Sequence, residues 1–156
     1  MKNIVATIIQ ILERFPLALI LLLARIVVGL VFFQSGLTKI DGFSLKPATF
    51  YLFENEFKVP ILPPTLAAYM ATIAELSMPW LLWIGLGARF AALALLGMTA
   101  VIQTFVYPDA YITHGLWAIA LLLICKHGAG ALSIDFLIRE QHEARGHFRL
   151  PSADVA

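Results

Sequence analysis

The sequence predicts an all-α integral membrane protein, a four-helix bundle with short interfacial helices. Three observations carry that reading. Of 156 residues, 60% are hydrophobic and only 13% charged, where soluble domains carry about 25% charge. The apolar residues gather into four runs of near 20 residues, the length a helix needs to cross a ~30 Å hydrocarbon core. The basic residues between those runs fall mostly on one side of the implied bundle.

The elements follow in chain order. Over residues 3–14, Asn3, Thr7, Gln10 and Arg14 fall on one helical face, and Ile4, Val5, Ile8, Ile9 and Leu12 on the other. That pattern predicts a helix lying in the membrane surface. Glu13, Arg14 and Pro16 interrupt the apolar run and no small-residue cleavage site follows, so the segment is expected to be retained.

The first span is expected over about 16–38. Arg25 sits in its middle, where an arginine facing lipid costs roughly 2.5–3.5 kcal/mol on insertion scales. Gly29, Phe32 and Gly36 follow it on the same helical face, flat enough for close packing against a second helix. The loop over 40–63 contains Pro47, placed to start a short helix whose Phe50, Phe53 and Phe57 share a side and anchor it at the membrane surface over a cavity mouth.

The second span is expected over about 65–86, with Glu75 near its centre and a kink at Pro79. Gly85-Leu86-Gly87-Ala88-Arg89 makes a short turn to an antiparallel third span, about 88–106, rich in alanine and carrying Gln103. The fourth, about 108–126, is interrupted by His114 and Gly115. After Lys126 comes a glycine turn in which Ser133 or Asp135 can cap a short helix. The membrane domain is thus 1–138, followed by a polar cytoplasmic tail, 139–156.

Four spans place both termini on one side together with Lys2, Arg14, Arg89, Lys126, Arg139, Arg145 and Arg149. The other side holds Lys39, Lys46 and Lys58. The positive-inside rule then predicts a multi-pass membrane protein with both termini cytoplasmic.

Depth along the helices brings polar residues together. Arg25 lies about thirteen residues from the outer end of span one, and Glu75 about ten from that of span two. At ~1.5 Å per residue the two depths nearly match. A buried Arg25–Glu75 ion pair is therefore expected, either fixing helix register or flooring an outward polar cavity. Gln34, Lys39, Gln103, Tyr107 and His114 are the candidate cavity and ligand-binding residues.

Several classes are disfavoured. No basic, aromatic-interleaved patch points to nucleic acid. One cysteine, Cys125, allows no intrachain disulfide or dithiol centre. His-Glu-Ala-Arg-Gly-His over 142–147 lacks the spacing of a zinc-protease helix, and no metal site is expected. No hydrolase triad or phosphate loop occurs, so no catalytic residue is assigned and whether the chain is an enzyme stays open.

The ordered set Arg25, Gly29, Gly36, Lys39, then mid-span Glu75, the GLGAR turn, His114-Gly115 and Gly-Ala-Leu-Ser-Ile-Asp at 130–135 resembles the DoxX family over residues 20–138. The loop YLFENEFKVPILPP and the stretch FVYPDAYITH resemble one branch of it, whose genes lie beside those of copper-binding, modified peptides. The resemblance implies a four-helix inner-membrane protein. Its relatives include the DoxD-type subunit of a thiosulfate:quinone oxidoreductase and members of oxidative-stress complexes. It supplies no catalytic residues. The function that the resemblance implies is a redox-associated membrane subunit, embedded in lipid, with a protein partner or a second copy and a quinone as candidate ligand, its carbonyl bonded by His114 and Gln103. The alternative is a non-enzymatic scaffold or transport component for a partner protein or modified metal-binding peptide.

Overall fold

The structure, a computed structural model, describes residues 2–57 and 59–147. Lys58 and Arg149, both used in the charge comparison, lie outside the described residues, as does the tail over 148–156. The secondary structure is almost wholly helical: α1 (Lys2–Glu13), α2 (Leu17–Lys39), α3 (Pro47–Leu52), α4 (Pro64–Ile84), α5 (Ala88–Val101), α6 (Tyr111–His127) and α7 (Ile134–His147). A two-residue antiparallel hairpin, β1 (Ile40–Asp41) with β2 (Ser44–Leu45), joins α2 to α3. A π-helical turn at Phe53–Phe57 extends α3, and another at Ile102–Val106 extends α5.

Among the described residues, four helices are long and apolar enough to cross a membrane: Leu17–Lys39, Pro64–Ile84, Ala88–Val106 and Pro108–His127. They pack together, and the protein is a multi-pass membrane protein. Val28 and Phe32 of α2, Leu82 of α4, Leu95 of α5 and Leu121 and Ile124 of α6 are buried at the centre. Ala88, Ala91 and Ala92 are fully buried beside them, small enough to let α5 approach its neighbours closely. Outward-facing leucines and isoleucines stay exposed, as lipid-facing residues must.

The stagger of α2 against α4 decides where everything else lies. A Cβ on Gly29 would stand 2.4 Å from Trp83 Nε1, and one on Gly36 would stand 3.1 Å from Glu75 Cβ. The helices are therefore antiparallel and nearly in backbone contact along this seam. That register places Lys39, the last residue of α2, beside Glu75, eleven residues into α4. With Gly36 level with Glu75, α2 runs only three residues past that level, and about 12 Å of α4 at ~1.5 Å per residue has no α2 beside it.

The 40–63 segment fills that space. Thr49 Oγ1 donates to the Lys39 carbonyl at 2.9 Å, and the Lys46 amide donates to the same carbonyl at 3.0 Å. Phe53 is buried with Ala67 and Ala68 of α4, and Phe50 packs on Tyr69.

At the opposite end, three polar locks hold the turns. Arg25 is wholly buried and donates to the carbonyls of Leu82 (3.2 Å) and Leu132 (2.6 Å). It thereby caps the C-terminus of α4, where carbonyls lack helical partners and the helix dipole favours a cation. Arg89 does the same for α6, donating to Cys125 and Lys126 carbonyls. Asp135 accepts from the Gly87 and Ala88 amides at 2.8 and 3.1 Å, and its own amide donates to the Gly85 carbonyl. Ser133, not Asp135, caps α7, accepting from the Phe136 amide. Gly85 and Gly87 both have left-handed φ, 69° and 59°, which is why this turn needs glycine.

Candidate functional site

The predicted Arg25–Glu75 pair does not form. Glu75 Oε2 lies 2.6 Å from Lys39 Nζ, and the two terminal guanidinium nitrogens of Arg25 donate to backbone carbonyls. The depth estimate assumed that Lys39 and Pro64 end their helices at one level. The stagger instead puts Gly36 level with Glu75, so that the Lys39 side chain reaches back one turn to the carboxylate, and puts Arg25 near the end of α4. Fourteen residues, about 21 Å of helix, separate the two cations along α2.

Around Glu75 the polar groups are connected. Ser35 Oγ donates to Glu75 Oε1 at 3.2 Å, and Lys39 Nζ lies 3.0 Å from Ser35 Oγ. Ser35 and Lys39 are four residues apart on α2 and so share a face. Glu75 keeps only 4% of its side-chain surface exposed and Lys39 12%, so each charge is neutralised by the other. Pro79, buried one turn on, has no N–H, which leaves the Glu75 carbonyl without its helical donor.

This cluster opens on a chamber of about 410 Å³ between α2, α4, α5 and α6. Its walls are mainly apolar, including Met70, Ala74, Met98 and Val101, with Ser35, Lys39 and Glu75 on the α2–α4 wall and His114 on the α6 wall. Phe53 and Phe57 close the end beside the 40–63 segment. Their rings are 5.0 Å apart, and Phe57 stands 5.9 Å from half-exposed Tyr107. Behind His114, Nδ1 is 2.7 Å from Gln103 Oε1, and Gln103 Nε2 donates to the Pro108 carbonyl. The His114 ring packs 5.0 Å from Trp117, which in turn stacks on Phe32.

Among the sequence candidates, Lys39, Tyr107 and His114 line the chamber. Gln103 sits behind His114, facing a smaller groove between α5 and α6. Gln34 is exposed on the far side of α2 and belongs to no part of the site. Ser35 and Trp117 were missed. The one-turn spacing of Ser35 from Lys39 was a readable signal, whereas Trp117 had the character of an ordinary membrane-interface residue.

A multi-pass helical membrane protein with an apolar chamber between its helices and a buried ion pair on the chamber wall is the class these features define. The chain belongs to the DoxX family, whose family model matches residues 20–108. A Haemophilus influenzae protein named only "Uncharacterized protein" is 29% identical over 135 residues, covering 80% of this chain and 87% of that one. No solved structure matches the chain. The matched family segment holds Lys39, Glu75 and the GLGAR turn; His114 and Asp135 lie beyond it.

Proposed function

We propose that this DoxX-family protein is the ligand-binding membrane subunit of a redox assembly, and that its chamber takes a quinone or its reduced form. The observation that carries the reading is the Ser35–Lys39–Glu75 cluster set in the wall of an apolar chamber of about 410 Å³. Small-molecule pockets are typically of about 300–1,000 Å³, mostly apolar, with a few convergent polar groups. A quinone ring with a short apolar substituent fits that description. Methionine and alanine walls take the ring faces, and the ammonium of Lys39 is a donor for one ring oxygen. The chain holds and orients the ring, and a partner protein exchanges electrons with it. The Lys/Arg asymmetry supports an inner-membrane orientation with both termini cytoplasmic and the 40–63 segment outside, so that the chamber opens toward the periplasmic face.

Trp117 reports on occupancy. Titrating the detergent-solubilised protein with a short-tailed benzoquinone is expected to quench its fluorescence saturably. The saturable component disappears in Trp117→Phe and survives in Trp80→Phe, because Trp80 lies outside the chamber lining. Quenching that rises without saturation, or that ignores Trp117, would overturn the proposal.

A further inference from the structure

The Pro108 carbonyl sets the hydrogen-bond polarity of His114. A carbonyl only accepts, so the Gln103 amide nitrogen must be the group facing it, at 2.5 Å. Gln103 Oε1 is then the atom facing His114 Nδ1, at 2.7 Å, and an oxygen acceptor there requires the ring proton on Nδ1. In the neutral ring Nε2 consequently carries the lone pair. Gln103 lines the groove between α5 and α6 but not the chamber, whereas His114 lines both. With Nδ1 held by Gln103, Nε2 is the ring nitrogen left to meet a ligand in the chamber that His114 lines. The ring is only 5% exposed and is held against Trp117. The facing wall supplies Lys39 and Glu75, already bonded to each other.

We infer that His114 is a hydrogen-bond acceptor for a ligand hydroxyl, so that the chamber selects phenol-bearing rings and, of the two quinone states, the reduced one. The inference rests on the chamber reading above and narrows it. A quinone carbonyl carries only lone pairs and would set oxygen against the Nε2 lone pair, whereas a quinol hydroxyl donates to it. The expectation that His114 and Gln103 bond a quinone carbonyl is reversed accordingly: Gln103 is a positioning residue that holds the tautomer, and His114 accepts. A second ring oxygen accepts from Lys39 Nζ across the chamber.

Two measurements test this. In protein labelled with ¹⁵N-histidine, long-range ¹H–¹⁵N correlation is expected to show His114, assigned by its loss in His114→Gln, with the proton on Nδ1; Gln103→Met releases that preference. A proton on Nε2, or on both nitrogens, overturns the inference. In the Trp117 quenching assay, a short-tailed hydroquinone is expected to bind at least about tenfold more tightly than its dimethyl ether or the matching quinone, roughly the weight of one hydrogen bond. That ratio is expected to fall to about twofold in Gln103→Met. Saturable binding of all three with equal affinity overturns the hydroxyl preference and leaves the chamber reading standing. Absence of saturable quenching by any of them overturns both.

Discussion

Lys39 Nζ and Glu75 Oε2 lie 2.6 Å apart at the point where α2 stops beside the middle of α4. The pair joins the two helices at the floor of the uncovered stretch of α4, and the chamber begins there. Removing one partner of a buried pair costs about 3–5 kcal/mol, because the other charge is stranded, while replacing both by apolar residues can be nearly neutral. Lys39→Met and Glu75→Leu are each expected to lower thermal stability in detergent, and the double variant to recover most of the loss. Strictly additive losses would show that the two residues do not depend on each other. Glu75→Leu combined with Arg25→Met is expected to give no such recovery.

Arg25 has a different task. Its guanidinium ties α2 to the end of α4 and to the 128–133 turn through two backbone carbonyls. Arg25→Met is expected to destabilise the protein by on the order of 2 kcal/mol, the weight of lost charged hydrogen bonds to buried carbonyls. Arg25→Lys is expected to rescue little, since one ammonium cannot reproduce the fork that spans both carbonyls. Ligand affinity in the Trp117 assay should hold in the folded fraction of both variants. A changed affinity with unchanged stability would move Arg25 into the site.

The α2–α4 seam tolerates no side chain at its glycines. A Cβ at Gly29 or Gly36 would come within 2.4 Å of Trp83 or 2.8 Å of Leu76, whereas one at Gly97 or Gly115 meets nothing within 4 Å. Gly29→Ala and Gly36→Ala are expected to cost about 1–3 kcal/mol, the usual penalty for overpacking. Gly97→Ala, on an open helix face, should be neutral or slightly stabilising. Equal behaviour of all three in a detergent unfolding titration would contradict the seam.

Orientation is open to a direct test. With Cys125 replaced, a cysteine at Glu140 in α7 is expected to resist an impermeant thiol reagent in intact cells, and one at Lys46 to react. The reverse pattern would invert the protein and place the chamber mouth on the cytoplasmic side.

Much of this architecture was legible in the residues themselves. The four long helices follow from four apolar runs, since nothing but a helix satisfies its own backbone across a bilayer. Gly29 and Gly36 at helical spacing identified the face on which α2 meets α4. Of Phe50, Phe53 and Phe57, expected together over the cavity mouth, Phe53 and Phe57 line the chamber and Phe50 packs on Tyr69 instead. Lys39, Tyr107 and His114 line the chamber, whereas Gln34, chosen by the same polarity, faces away from it, because polarity alone does not say which face of a helix is inside.

Helix stagger was not legible. Counting residues from the ends of a span assumes that all spans start and stop at the same levels, and hydropathy contains no term that aligns one helix with another. Only packing sets that alignment: Gly36 against Leu76, Gly29 against Trp83 and the 40–63 segment folded onto the Lys39 carbonyl. Those contacts slid α2 along α4 and gave Glu75 a lysine in place of the expected arginine. They also freed Arg25 to cap a helix. The amino acids determined that each buried charge needs a partner, because an unpaired charge in an apolar interior is too costly to keep. The tertiary structure decided which partner, because that choice depends on a register only close packing defines.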